Sequence, residues 1–177
     1  MADFGLGSLG PAGSLAAAGA LSQSAEKYVN NPDLELAWAS KAFQHAEVYF
    51  NLISAVDTTC LKLTGKMDEE IYTEFRNYFP DMSVAAVTED ELKSEEAKSK
   101  WRPFCNKFEG KVEDFNYGTL LRLRSDQDYS EENSCIVPRI QFYAMEIARN
   151  REGHNLAVWK KTKEEKGTTE DTAQEQS

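Results

Sequence analysis

Residues 31–56 read NPDLELAWASKAFQHAEVYFNLISAV, and this stretch decides the fold class. Asn31 and Pro32 form a helix entry, with asparagine as the capping residue and proline at the first helical position. Mostly apolar residues then recur at spacings of four and three along two adjacent lines. The first line is Trp38, Ala42, His45, Tyr49, Leu52 and Val56, and the second is Ala39, Phe43, Ala46, Phe50 and Ile53. Two adjacent lines predict a helix that is packed over much of its circumference at the centre of the fold.

Two further helices follow in the next part of the chain. Asp68 suits the cap of a short helix that Pro80 terminates. Thr88 and Glu91 fit a capping box, which predicts a third, mostly charged helix through Lys100. Pro103 is expected to kink this helix or to begin a new one, because proline lacks the amide hydrogen that a helix interior uses.

Residues 114–124, DFNYGTLLRLR, are ambiguous. The alternation of leucine and arginine over residues 121–124 suggests a short strand. Asp114 in a capping position suggests a helix instead. Because no partner strand is evident and a lone strand is not stable, a helix is the preferred prediction.

A last helix is predicted from a Ser130 cap to Gly153, with a kink or break at Pro138. The fold class that follows is mainly α, a single compact bundle of about five to six helices with disordered N- and C-terminal tails. Residues 1–24 mix Gly, Ala, Ser and Leu, and residues 161–177 hold no large apolar side chain. Such segments bury too little surface to order themselves, so one helical domain is expected over residues 25–160.

Composition limits the compartment and the partners. Thirty acidic residues against 20 basic ones leave a formal charge of −10, the sign opposite to that of nucleic-acid-binding domains. The N-terminus lacks the basic start of a signal peptide, and no apolar run is long enough to cross a bilayer. The three cysteines lie at wide spacings and are expected to be buried thiols. These features predict a cytoplasmic protein that binds neither nucleic acid nor membrane.

Catalytic motifs are not found. No glycine-rich phosphate loop or GxSxG elbow occurs, and the two histidines stand apart from any cluster of metal ligands. His45 lies on an apolar line, where a hydrogen-bonded core histidine is the expectation and a catalytic or pH-sensing role the alternative. The sequence therefore predicts a protein-binding protein that is not an enzyme and has no cofactor or metal.

Three stretches carry a resemblance to a known family. They are AWASKAFQHAEVYFNLI (37–53), KWRPFCNKFEGKVEDFNYGTLLRLR (100–124) and YSEENSCIVPRIQFYAMEIARNREG (129–153). Together they resemble the polysaccharide biosynthesis domain-containing protein 1 family over nearly the whole core. The resemblance implies a small helical cytosolic chaperone dedicated to translation elongation factor 1-alpha. It would hold the newly made GTP-binding domain, including at the ribosome, and release it once nucleotide is bound.

The same stretches supply the candidate contact residues. A partner-binding surface is expected at the positions where polar and aromatic residues are dense, namely Asp114, Asn116, Tyr117, Arg122, Glu146, Arg149, Asn150 and Arg151. Capping, turn formation and salt bridges within the chain explain these residues equally well. The protein is expected to act as a monomer. Its negative charge would steer it toward a basic, tRNA-handling client.

Two other functions stay open at this level. One is an S-adenosylmethionine-dependent methyltransferase acting on the sugar acids of polysaccharides, the activity suggested by the family's name. The other is a passive protein-interaction adaptor, which differs from a chaperone only in its client. A chaperone without an ATP site would release its client because nucleotide-bound client binds more weakly.

Overall fold

The computed structural model describes residues 32–174, with side chains up to residue 169. Over this range the chain is mainly helical, as predicted. The helices are α1 (Pro32–Ala55), α2 (Met67–Tyr78), α3 (Glu89–Lys93), α4 (Glu95–Asn106), α5 (Arg139–Arg151) and α6 (Leu156–Gln174), and the strands are β1 (Gly118–Arg122) and β2 (Ser134–Pro138). A 3-10 turn covers Thr58–Cys60. The chain divides into two compact units between Gln44 and His45, within α1.

The predicted tails have different outcomes. The N-terminal segment 1–24 and residues 25–31 lie outside the described residues. At the C-terminal end, α6 continues through residues 161–174, where a disordered tail was predicted. Val158 is buried, whereas residues 163–169 are exposed. Lysine and glutamate make up most of residues 160–166 and have favourable helix propensities, which supports the helix beyond its partly buried first turn.

Helix α1 buries one line of side chains, not two. The buried residues are Ala42, Ala46, Tyr49 and Ile53, at helical spacing. This line takes members from both predicted lines, and each of those is interrupted: Leu52 of the first is 39% exposed and Phe43 of the second is 67% exposed. The prediction of a central helix packed over much of its circumference is therefore wrong for α1.

Helix α5 is the most buried helix of the described chain. All of its residues are buried except Arg139, Tyr143 and Arg151. It packs against α2, against both strands and against the 3-10 turn. Gly153, with φ of 82°, follows its end as predicted, since a left-handed residue at this position suits glycine.

The ambiguous segment is a strand, and the helix prediction for residues 118–124 is wrong. β1 pairs antiparallel with β2, and Leu120 lies opposite Ile136. The partner strand lies in the segment that was predicted as the first turns of the last helix. Helix α5 therefore begins at Arg139, not after Ser130, and Pro138 ends the strand and caps the helix. Proline cannot donate to a ladder, which suits a strand end.

The short helices follow their predicted signals with three exceptions. The single helix predicted through Lys100 is two helices, because Ser94 ends α3 and its side chain caps α4. Thr88 and Glu91 form both bonds of the capping box, and Pro80 lies just past the end of α2. Helix α4 continues through Pro103, so no new helix begins there. Asp68 does not cap α2, which begins at Met67; its carboxylate instead accepts hydrogen bonds from two loop amides, those of Leu63 and Thr64.

An aromatic cluster joins α2 and α4. The Phe104 ring lies 5.6 Å from Trp101, 6.3 Å from Phe75 and 5.3 Å from Phe108, measured between ring centroids. All four side chains are buried. Edge-on and tilted contacts of this kind add to the free energy that burial itself supplies.

The cysteines are unpaired, but they are not all buried. Cys135 is buried, Cys105 is half-buried and Cys60 is exposed. The prediction of a buried thiol is wrong for Cys60, which lies in the 3-10 turn that follows α1. Burial raises the pKa of both the Cys105 and the Cys135 thiols to about 11.

Candidate functional site

Two arginines and one glutamate form a network in the protein interior. Arg122 lies at the end of β1, and Glu146 and Arg149 lie one turn apart on α5. None of the three side chains has exposed area. Burial of ions is costly unless each is paired and hydrogen-bonded, so their partners determine whether the arrangement is stable.

The Glu146 carboxylate accepts hydrogen bonds from four side chains. Tyr49 Oη donates to Oε2 over 2.6 Å, and Asn155 Nδ2 donates to the same oxygen over 3.0 Å. Arg149 Nη1 donates to Oε1 over 2.7 Å. Arg122 Nη2 lies 3.3 Å from Oε1 and 3.2 Å from Oε2. The carboxylate is thus bound by residues of α1, β1, α5 and the turn before α6.

Both guanidinium groups also bind backbone carbonyls. Arg149 Nε donates to Val84 O over 2.6 Å, and Nη2 donates to Leu123 O over 3.2 Å. Arg122 Nη1 donates to Ser125 O over 2.8 Å. These bonds hold the loop before α3 and the segment after β1 against α5. The two segments also pair with each other through an antiparallel bridge between Ala86 and Arg124, and the network ties the pair to α5.

Electrostatics favour the charged form of Glu146. Burial alone raises its pKa, but Arg122 and Arg149, together with the bonds from Tyr49 and Asn155, outweigh burial and lower the pKa to about 2. Burial and the neighbouring carboxylate raise the pKa of Tyr49 well above its usual value, so the phenol stays a hydrogen donor. The three ions carry one net positive charge inside an acidic protein.

Half of the predicted contact residues belong to this network. Arg122, Glu146 and Arg149 have no exposed area, and Asn150 is 1% exposed, with its Oδ1 accepting a 2.6 Å hydrogen bond from Asn155 Nδ2. Side chains without exposed area cannot touch a partner that docks on this conformation. Their predicted role as direct contacts is therefore corrected: these four residues hold the fold together.

Three other predicted residues form a surface cluster with Arg139. Asp114 and Asn116 are exposed, and Tyr117 is half-buried. The Arg139 guanidinium lies 5.0 Å from the centre of the Tyr117 ring, and its Nη1 lies 3.8 Å from Asp114 Oδ2. Asp114 has φ of 52°, a left-handed conformation that aspartate tolerates better than most residues. We call Asp114, Asn116, Tyr117 and Arg139 the Tyr117 cluster.

Arg151 lies apart from that cluster, at the end of α5. Its Nη1 donates to Glu69 Oε2 over 2.8 Å, and its guanidinium lies 4.9 Å from the centre of the Tyr72 ring. Nearby, Arg76 makes a bidentate pair with Glu152, with distances of 2.6 and 2.7 Å from Nη2. Arg151 is exposed and remains available to a partner, although its charge is already paired within the chain.

Several residues of these sites were not found from sequence. Tyr49 belongs to an apolar line of α1, and nothing in that pattern predicts that its hydroxyl hydrogen-bonds to Glu146. Asn155 lies two positions after Gly153, in the turn between α5 and α6. Asparagine is common in turns, so its presence there did not indicate a partner in the core. Arg139 lay inside the predicted last helix. Only the fold brings these three side chains to their partners.

Exposed apolar side chains are concentrated on α1. In the second unit, Val48, Leu52 and Val56 are 43%, 39% and 37% exposed and follow one another at a spacing of four. That spacing places them on one side of the helix and its last turn. In the first unit, Leu36 and Phe43 are also exposed. We call Val48, Leu52 and Val56 the α1 apolar row.

His45 is half-buried and lies among aromatic rings, which is the apolar part of the environment predicted for it. Its ring centroid is 5.1 Å from that of Phe142 and 6.4 Å from that of Tyr49. Burial lowers its pKa, and the nearby Arg139 lowers it further, to about 4. The folded protein therefore favours the neutral imidazole.

The free energy of unfolding should depend on pH in part because His45 titrates differently in the folded and unfolded chain. An unfolded histidine takes up a proton as the pH falls through about 6.5, whereas the folded protein resists this down to about pH 4. Stability is therefore expected to fall as the pH drops from about 6.5 to about 4, and the fall should be smaller in His45→Gln. Urea unfolding at several pH values measures it. His154→Gln, which changes the other histidine, is the control; equal slopes for His45→Gln and the unmodified chain would contradict the assignment.

Among residues 32–169, no three His, Cys, Asp or Glu side chains come close enough to hold a metal ion. Within the helices that the structure describes, none has the length and apolar character that crossing a bilayer requires.

Comparison with known proteins places the chain in a family. A sequence model described as "PBDC1 protein" matches residues 34–160. The chain belongs to the PBDC1 family. Protein PBDC1 of Mus musculus is 62% identical over 144 residues, which cover 81% of this chain and 72% of the mouse protein. Protein PBDC1 of Homo sapiens is 60% identical over 148 residues, covering 84% of this chain but 63% of the human protein, less than two thirds of its length.

The PBDC1 family also includes fungal relatives. The Protein PBDC1 homolog of Saccharomyces cerevisiae is 45% identical over 136 residues, covering 75% of this chain and 92% of the yeast protein. The solution NMR structure of protein yst0336 from Saccharomyces cerevisiae superimposes with a TM-score of 0.68 at 42% identity. That match covers 77% of this chain and 96% of the yeast structure. The family resemblance found from sequence is thus confirmed.

Proposed function

We propose that this chain is a cytoplasmic, ATP-independent chaperone for translation elongation factor 1-alpha. It binds the newly made GTP-binding domain and releases that domain when GTP binds. The proposal follows what the resemblance to the family implies. The observation that carries it is the α1 apolar row, exposed on a chain with a formal charge of −10.

The α1 apolar row has the properties that a holding surface needs. A domain that has not finished folding exposes apolar surface, and aliphatic side chains at a spacing of four along a helix offer a continuous line to cover it. The Tyr117 cluster and Arg151 add polar groups at the surface. The acidic charge attracts a basic client and accelerates encounter.

Release of the client needs no hydrolysis by this chain. If the chaperone binds the nucleotide-free domain more tightly than the GTP-bound domain, then GTP binding weakens the complex by the same factor. The two ligands compete through the conformation of the client. The chaperone acts as a binding protein throughout this cycle, without catalysis and without a cofactor.

Capture of the client should depend on nucleotide. Purified chain immobilised on beads is expected to retain the nucleotide-free GTP-binding domain of elongation factor 1-alpha and to lose it on addition of excess GTP. Bound client is measured on gels against a bead control. Retention that GTP does not reduce would contradict the release step, and no retention of a client shown to bind GTP would contradict the proposed function.

A double substitution tests whether the α1 apolar row is the surface that binds the client. Val48→Ser with Leu52→Ser removes two members of the α1 apolar row and should reduce capture by about tenfold, since apolar anchors dominate interfaces. Ile136→Ser is the matched control, because Ile136 is similarly exposed, at 44%, but lies on β2. Equal capture by the double variant and the control would remove the α1 apolar row as the client surface.

A further inference from the structure

An open groove of about 380 Å³ lies between α4 and β2. It is lined by the end of α3, by α4, by β2 and by the start of α5. It shares no residue with the buried network, the Tyr117 cluster or the α1 apolar row. We call it the Trp101 groove.

The floor of the Trp101 groove is apolar and ordered. Trp101 and Leu92 are buried, and Trp101 Nε1 donates to Glu91 O over 3.2 Å, which fixes the indole ring. Gln141 Nε2 lies 3.4 Å from Leu92 O. Ile136 forms one wall and is 44% exposed, so an apolar side chain entering the groove would cover it. Covering exposed apolar area is favourable in proportion to the area removed from water.

The charged residues of the Trp101 groove are all basic. Lys98 and Arg102 lie one turn apart on α4, on the side that also presents Trp101, and Lys93 follows Leu92. No aspartate or glutamate lines the groove. The groove is therefore locally positive, whereas the whole chain is negative, with 30 acidic residues against 20 basic ones.

These cations are only weakly engaged within the chain. Lys98 Nζ lies 3.2 Å from Glu95 Oε1, and Lys93 Nζ lies 3.8 Å from Glu89 Oε1, both on exposed parts of the helices. Exposed pairs of this kind contribute little and exchange readily. Among residues 32–169, Arg102 has no carboxylate within ion-pair distance. Its guanidinium can therefore bind a carboxylate from outside, and two parallel hydrogen bonds are the geometry it favours.

We propose that the Trp101 groove binds a linear acidic segment of another protein, one that carries a bulky apolar residue beside its carboxylates. The apolar residue covers Ile136, the exposed apolar side chain of the groove, and flanking carboxylates bind Arg102 and Lys98. The overall negative charge of the chain repels acidic segments elsewhere on the surface, which confines them to this groove. This site is separate from the proposed client surface on α1 and does not depend on it.

Peptide binding tests the proposal. The probe is a synthetic peptide with blocked ends, in which glutamates flank a central Phe-Leu pair, titrated into the full chain by calorimetry at low salt. We expect saturable binding that weakens with salt and weakens about tenfold or more in the Lys98→Glu, Arg102→Glu variant. Absence of binding to the unmodified chain would overturn the proposal.

Two matched controls separate the groove from general charge attraction. Lys100→Glu reverses a cation on the same helix that does not line the groove, and its effect should be much smaller. A second peptide with alanine in place of Phe and Leu should bind at least about tenfold more weakly, because it cannot cover the exposed Ile136 side chain. Equal loss in Lys100→Glu, or equal binding of the alanine peptide, would overturn the proposal.

Discussion

Replacing Glu146 with glutamine is expected to cost about 3–5 kcal/mol of unfolding free energy. The substitution keeps the size of the side chain but removes the negative charge, so Arg122 and Arg149 remain buried without a counter-ion. A loss of this size is a large fraction of the stability of an ordinary domain. Urea unfolding followed by circular dichroism measures it, and loss of the cooperative transition would be the extreme form of the same result.

The control for Glu146→Gln is Glu69→Gln. Glu69 also pairs with an arginine, Arg151, over 2.8 Å, but its side chain is 74% exposed. Because solvent screens an exposed pair, the loss should stay below about 1 kcal/mol. Equal losses in the two variants would contradict the view that burial makes the Glu146 network important.

The Glu146 network also predicts acid sensitivity, which is part of the same measurement. The pKa of Glu146 is lowered from 4.5 to about 2 in the folded protein, so its contribution to stability is complete above about pH 4.5 and is lost as the pH falls to about 2. The Glu146→Gln variant has no carboxylate to protonate at this position. Its stability should therefore decrease less steeply over this range than that of the unmodified chain.

Truncation of Phe104 to alanine is expected to cost about 3–5 kcal/mol. Phe104 has no exposed area and lies in contact distance of the Phe75, Trp101 and Phe108 rings. Its removal leaves a cavity between α2 and α4 that rigid ring neighbours fill poorly. Urea or thermal unfolding measures the loss of unfolding free energy.

Phe43→Ala is the matched control for Phe104→Ala. It makes the same chemical change at a side chain that is 67% exposed, where little apolar area is buried and no cavity forms. The expected change is within about 0.5 kcal/mol. If Phe43→Ala destabilised the protein as much as Phe104→Ala, the aromatic cluster would not be the main source of packing energy between α2 and α4.

The buried network changes how the dense polar strings of this sequence are understood. The crowding of polar and aromatic residues within EDFNYGTLLR (113–122) and EIARNREG (146–153) is the reason that a contact surface is predicted at eight residues of these stretches. In the structure, Arg122, Glu146, Arg149 and Asn150 use their polar groups on one another and on backbone carbonyls. Residue type cannot separate these two uses, because a charged side chain is favourable in the interior once its partners are present.

The strands illustrate the same limit at the level of secondary structure. The sequence contained a strand signal at residues 121–124, but β1 is stable only because Ser134–Pro138 lies beside it and α5 covers the pair. The partner segment SCIVP precedes a strongly helical run, which made it look like a first helical turn. Pairing between segments about 15 residues apart is a tertiary event that local periodicity does not report.

What the sequence by itself determined is the family, the helical class, and the local signals at Thr88, Pro80 and Gly153. Those features depend on the spacing of apolar residues and on caps that act within one turn of the chain. Only the tertiary structure decided which helix is central, which polar residues are buried and where apolar side chains remain exposed. The reason is that burial and ion pairing are set by neighbours distant in sequence, as in the hydrogen bond that joins Tyr49 to Glu146 across 97 positions.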